Sequence, residues 1–334
     1  MRDIEVIMEE WGIQQNKLEY SDVKKSIEQI LTSFIPYFIL LTIIYFLLRN
    51  GYPYWVALLF TPIASLFLIK IFIILHDCSH KSYLGKSIIG CFILGHICGI
   101  LTFTSFFSFR RSHVIHHATV SNLEKRGVGD IWTLTVDEYL SLPQLKKIVY
   151  RIFRNPIFLF GIVPPILFIV LNRIPEKTDR LKEILSIIFT NAMIVVILAI
   201  AYFTIGFKMY VAIQLPVICL ASSFGVWLFY IHHQFKNVYW SHNKDWNRFD
   251  AATKGSSFYK FPGFIEWFTG HIGYHYIHHL NYRIPNYKLE KYYRETPQLH
   301  MKPFAFRDGF ESMFLALWDE KTGKLVSFST LKNA

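Results

Sequence analysis

Six apolar stretches divide this chain, at 34–48, 54–75, 88–107, 156–171, 184–206 and 209–231. A helix needs roughly 20 residues to cross the hydrocarbon core of a bilayer. Inside that core every backbone N–H and C=O must find a partner within the protein, which leaves helices as the simplest way across. The stretches therefore commit the chain to a helical membrane fold before any motif is read. Charge agrees: 18% of the residues are Asp, Glu, Lys or Arg, against about 25% in soluble domains. Residues 1–32 are polar and lack the basic, apolar and small-residue order of a secretory signal. They are expected to form a cytosolic N-terminal segment.

Histidines indicate which stretches cross. His76 and His80 follow the second stretch, and His113, His116 and His117 follow the third. His232 and His233 follow the sixth, and His271, His275, His278 and His279 lie in the tail. If these imidazoles serve one site, a single crossing by 88–107 would separate His76 from His113. That stretch is interrupted by Gly90, Gly95, His96, Gly99, Thr102, Thr104 and Ser105, so it is expected to enter and return or to lie in the interface. The stretch 156–171 is short and carries Pro164 and Pro165, and the same parity removes it as a crossing. The expected fold is an all-α membrane domain over 1–334. It has two spanning hairpins, 34–48 with 54–75 and 184–206 with 209–231. The two other apolar segments do not span, and a helical histidine-rich cap comprises 76–183 and 232–334. Basic residues favour the cytosolic side. The outer loops carry only Arg49 and Lys208, so the cap is placed in the cytosol.

The imidazoles come in three groups, HDCSH (His76, His80), HVIHH (His113, His116, His117) and HYIHH (His275, His278, His279). Spacings of i, i+3 and i+4 put helical side chains on one face. Neutral imidazole binds iron, copper and zinc. One HxxHH is weak evidence, because a helical histidine is more often exposed or locally satisfied. Three groups at the ends of apolar runs suit two metal ions, since burying that many polar rings without a ligand is costly.

Other classes fit less well. Transporters hold their ions near the bilayer midplane, not at helix ends. A zinc protease would show HExxH, which is missing here. The net charge of +11 is spread between apolar runs and matches no nucleic-acid motif. It suits anionic phospholipid and an acidic protein partner. Cys78, Cys91, Cys98 and Cys219 form no CxxC pair and are expected to be reduced packing residues.

The three groups resemble the histidine boxes of the membrane fatty acid desaturase and hydroxylase superfamily. HHATVSNLEKRGVGDIWTLTVDEY, GVWLFYIHHQF, GSSFYKFP and WFTGHIGYHYIHHLNYRIPNYKLE are similar to bacterial phospholipid acyl-lipid desaturases. The resemblance extends to the Δ5 acyl-lipid desaturases of bacilli. The resemblance implies a non-haem di-iron centre held by His76, His80, His113, His116, His117, His275, His278 and His279. His233 aligns with a ninth ligand from the last span, and His232 takes a supporting place beside it. It also implies O2 as co-substrate and a cis double bond placed in a saturated acyl chain of a membrane phospholipid. The enzyme would be embedded in the plasma membrane with its site on the cytoplasmic face. A di-iron acyl or alkane hydroxylase shares the boxes and is the alternative.

Two positions depart from the family's usual NIGYHHVHH: His271 replaces Asn and Tyr276 replaces His. On a continuous helix His271 would share the face of His275, as a ligand, as the holder of a metal-bound water or as an orienting neighbour. Tyr276 would lie off that face. Asp77, Asp130 and Asp250 are candidates to orient imidazoles, Asp77 foremost. Trp132, Tyr239 and Trp240 are candidate lining residues. His96, His242 and His300 stand alone and are left out. No HPGG segment or ferredoxin-type cysteine set is present, so electrons are expected from a separate ferredoxin or flavodoxin.

Overall fold

The computed structural model describes residues 21–332; the sequence expectation for 1–20 lies outside them. Helix α1 runs Val23–Arg49, with Asp22 accepting from Lys24 N and Lys25 N at its start. It therefore begins well before the apolar run at 34, and Ser26, Gln29 and Ser33 are buried on that early part. A short turn leads through the helical segment Tyr54–Leu58 into α2, Thr61–His80. Helix α2 is central: it packs against α1, against α3 (Ile88–Leu101) and against α6 (Phe207–His233). Its core contacts include Ile71, Ile74, Leu75 and Cys78 from α2, Cys91 and Cys98 from α3, and Val217 and Ala221 from α6.

Among the described residues four helical stretches are long and apolar enough to cross a membrane: Val23–Arg49, Tyr54–His80, Leu181–Thr204 (α5) and Phe207–His233. The third apolar stretch folds as α3 and α4 (Phe106–Thr119), bent by 103°. The bend has a local cause. Phe103 takes a left-handed φ of 54°, and Thr104 N bonds Gly99 O at 2.7 Å. A Cβ at Gly99 would lie 2.3 Å from Thr104 O, and one at Gly95 would lie 2.2 Å from the Phe106 ring. Only glycine leaves room for the chain to return there. The fourth stretch lies within Phe158–Arg173, which meets the preceding helix Gln144–Phe153 at a bend of 61°.

The histidines that follow the second and sixth apolar stretches occupy the last turns of helices, because α2 continues through HDCSH to a left-handed Lys81 and α6 ends at His233. One expectation needs correction. The fold is mostly helical but not all-α, because Leu134–Thr135 (β1), Leu317–Asp319 (β2) and Lys324–Val326 (β3) form a small sheet. Strand β1 pairs parallel to β2, and β2 pairs antiparallel to β3. Leu317, Trp318, Leu325 and Val326 are residue types that suit paired strands, and the connecting turn is closed by Gly323 at φ 61°, whose N–H donates to Asp319 O.

Candidate metal centre

Four remote parts of the chain meet at the C-terminal ends of α2 and α6. Helix α2 supplies His76 and His80, α4 supplies His113, His116 and His117, and α6 supplies His233. A fourth short helix, α7 (His275–Leu280), supplies His275, His278 and His279. They form two groups. One holds His76, His80, His113, His117 and His278; the other holds His116, His233, His275 and His279. Within each group one ligand atom per ring lies within 4.8 Å of all the others.

The split follows helical geometry. His113 and His117, four apart, stay together, and so do His275 and His279. His116 and His278 sit one residue before the second member of each pair, about 100° away around the helix, and serve the opposite group.

In the first group His117 Nε2 lies 3.1 Å from His113 Nε2 and 3.0 Å from His278 Nε2. In the second, His233 Nε2 lies 3.1 Å from His116 Nε2 and 2.9 Å from His275 Nε2, which is 3.1 Å from His279 Nε2. Two outer nitrogens of the second group are held, and those of His275 and His279 find no partner. His116 Nδ1 donates to Asp130 Oδ1 at 2.6 Å and His233 Nδ1 donates to Gly255 O at 3.2 Å. Each neutral ring carries one proton, so His116 and His233 turn bare Nε2 lone pairs toward each other. That contact is repulsive unless a cation accepts both. Rings bound to one ion at about 2.0–2.1 Å would have such nitrogens roughly 3 Å apart. The residues fit a pair of metal ions. Burial, reinforced by neighbouring imidazoles, holds His113, His117, His275, His278 and His279 well below the usual imidazole range, so they are neutral and ready to bind.

Asp77 orients His76, with Oδ1 3.1 Å from Nδ1. Its Oδ2 accepts from Asn286 N at 2.7 Å and Asn286 Nδ2 at 2.8 Å. Asn286 in turn pairs amide to amide with Gln29, whose Oε1 also accepts from Tyr83 O–H. Sequence reasoning missed Gln29, Tyr83, Asn286, Gly255 and Ser257. Gly255, Ser257 and Asn286 fall inside stretches that carry the family resemblance, but nothing local marks Gln29. Asp250 does not reach an imidazole; it bonds Lys254 and Asn247. His232 Nδ1 meets Ser257 Oγ at 3.0 Å, and its ring stacks on His275 at 4.5 Å. Trp132 packs on Tyr150 and Phe153, Trp240 joins the core around Phe235 and Trp318, and Tyr239 donates to Asp245 O. The four cysteines are free.

His271 departs most from expectation. The helix begins at His275, and His271 precedes a 3-10 turn with a left-handed φ of 55°. It does not share the His275 face and belongs to neither imidazole group; it lies with Glu266 and Glu290. Tyr276 is buried and donates to Leu299 O at 2.7 Å.

The comparisons agree with this geometry. The family model for fatty acid desaturase matches residues 53–308. A Bacillus subtilis protein named fatty acid desaturase is 40% identical over 93% of this chain and 88% of its own length. Two Synechocystis proteins are more distant. The sn-1 oleoyl-lipid 12-desaturase is 28% identical over 65% of this chain and 62% of its own. The sn-1 acyl-lipid omega-3 desaturase (ferredoxin) is 26% identical over 66% and 62%. With apolar spanning helices and two converging imidazole groups, the chain belongs to the fatty acid desaturase family.

Proposed function

We propose that this membrane enzyme uses O2 and two iron ions, held by His76, His80, His113, His117 and His278 and by His116, His233, His275 and His279, to place a cis double bond at Δ5 in a phospholipid acyl chain. The observation that carries this reading is the facing of bare imidazole nitrogens in two adjoining groups. Bound iron supplies the O2-derived oxidant that unactivated methylenes require, which no acid or base side chain provides.

The chain's own residues do the rest. Asp77, Asp130 and Gly255 O fix ring orientation. Phe109 stacks on His113 at 5.1 Å and meets Phe72, which meets Phe168. Phe229 lies 5.3 Å from His116 and 5.2 Å from His233. These rings give the imidazoles an apolar flank on which an alkyl chain can lie with water excluded, and holding one methylene pair in place lowers the barrier. A soluble acidic ferredoxin or flavodoxin would deliver electrons to the basic face. The word ferredoxin in the name of one relative and the charge of +11 support this.

Parity supports four crossings. Helices α2 and α6 both end at the histidines, and α3 and α4 lead from His80 back to His113. The 120–180 segment must then start and finish on that side. Together with the charge rule, this supports a cap, 76–183 and 232–334, on the cytoplasmic side of the plasma membrane. A tag in the 172–183 linker should be shielded from membrane-impermeant reagents in intact cells, and labelling from outside would overturn the topology.

Expression in a host that lacks desaturases, followed by mass-spectrometric location of double bonds, tests the activity. A new double bond in phospholipid acyl chains is expected, at Δ5. A hydroxylated lipid with no new double bond would establish the hydroxylase alternative instead.

A further inference from the structure

Outside both imidazole groups, Glu266, His271 and Glu290 bring three ligand atoms together within 4.8 Å. They come from separate elements: Glu266 from the helix Gly263–Phe268, His271 from the turn before α7, and Glu290 from the helix Leu289–Glu295. His271 Nδ1 lies 3.7 Å from Glu266 Oε2 and 3.6 Å from Glu290 Oε2. Both distances are too long for hydrogen bonds. His271 Nδ1 and Glu266 Oε1 are buried without a hydrogen-bond partner, and Glu266 as a residue is 6% exposed. Leaving one oxygen of a buried carboxylate without a hydrogen bond is costly. Burial pushes the Glu266 carboxyl up and Glu290 adds to the shift, while the Phe261 N–H, Lys260 and Arg294 offset part of it. None of these supplies a partner for Oε1. Arg294 is engaged by the other Glu290 oxygen, and the Lys70 ammonium lies 2.9 Å from the centre of the Trp267 ring.

We propose that Glu266, His271 and Glu290 form a third metal site, separate from the paired imidazole groups, for a first-row divalent cation. One imidazole with two carboxylates is a borderline donor set, suited to Zn2+, Mn2+ or Fe2+. Tetrahedral ligands at 2.0–2.2 Å stand about 3.3 Å apart, so His271 Nδ1 needs to close on each carboxylate by only a few tenths of an ångström. The site clamps the His271 turn, which leads into the third histidine group, to the helix just beyond Asn286, which holds Asp77. Its role is therefore a structural staple beneath the catalytic cap, and it does not depend on which metals fill the imidazole groups.

The test is metal content. Full-length protein in detergent is equilibrated with Zn2+, desalted and measured by inductively coupled plasma mass spectrometry beside His271→Asn, Glu266→Gln and Glu290→Gln. Wild type should hold one more metal equivalent per chain than each variant. Glu290→Gln alters a partly exposed side chain and guards against misfolding of the buried variants. Equal metal content in wild type and Glu290→Gln would overturn the site and leave the three residues as an ion-pair cluster. In wild type alone, chelation mild enough to spare the imidazole groups should lower the Tm; an equal drop in Glu290→Gln would also count against it.

Discussion

His275→Ala should abolish desaturation while the chain still inserts into the membrane. His275 Nε2 stands between His233 Nε2 at 2.9 Å and His279 Nε2 at 3.1 Å. Removing it leaves three rings where four converged, and exposes the ring of His232 that stacked on it. Loss of a partner that merely supports a metal ligand costs ~10–100-fold, and loss of this ring should cost more. Bound metal should fall with activity. Tyr276→Phe is the control one residue away. It deletes only the bond to Leu299 O, worth about 1 kcal/mol, and should keep its product. Product formation by His275→Ala at the wild-type rate would remove His275 from the site.

Asp77→Ala should have the next largest effect, a loss of activity of ~10–100-fold, through a residue outside both imidazole groups. It deprives His76 Nδ1 of its acceptor, leaves Asn286 N unpaired and leaves Asn286 Nδ2 with only Gln29 Oε1, in a pocket where Asp77 and Asn286 are 2% and 1% exposed. Each buried donor left bare costs about 1–3 kcal/mol, so the Tm should fall. Metal affinity of the five-histidine group should fall by ~10–100-fold. Asp77→Asn separates the two effects. Its amide oxygen can still accept from Asn286, so stability should largely return, but a neutral amide holds His76 more weakly than a carboxylate. Wild-type metal affinity in both variants would show that the Asp77 carboxylate does not tune the site.

Much of the site was legible because its ligands are locally spaced. All nine histidines assigned from the boxes and the last span fall into the two groups. The bend of the third apolar stretch was legible too, since Gly95 and Gly99 stand where close approach demands glycine. The misreading of His271 has a physical source. Its i−4 relation to His275 has meaning only on a continuous helix, and Gly270 and His271 both take left-handed backbone that ends one helix before the next starts. The small sheet was missed for a similar reason. Two- and three-residue strands carry almost no periodic signal, and β1 pairs with β2 across 183 positions of chain.

By itself the sequence determined a helical membrane chain and three imidazole clusters, each aimed by the pitch of a single helix. Those properties depend on neighbours within a turn or on the solvent that a run of side chains prefers. Tertiary structure alone decided that His116 and His278 change groups, that Gln29 reaches Asn286 and Asp77, and that His271 joins two glutamates. Asn286 lies 209 residues from Asp77, and His278 lies 161 from His117. Contacts at such separations depend on how the helices pack, and no local spacing encodes that.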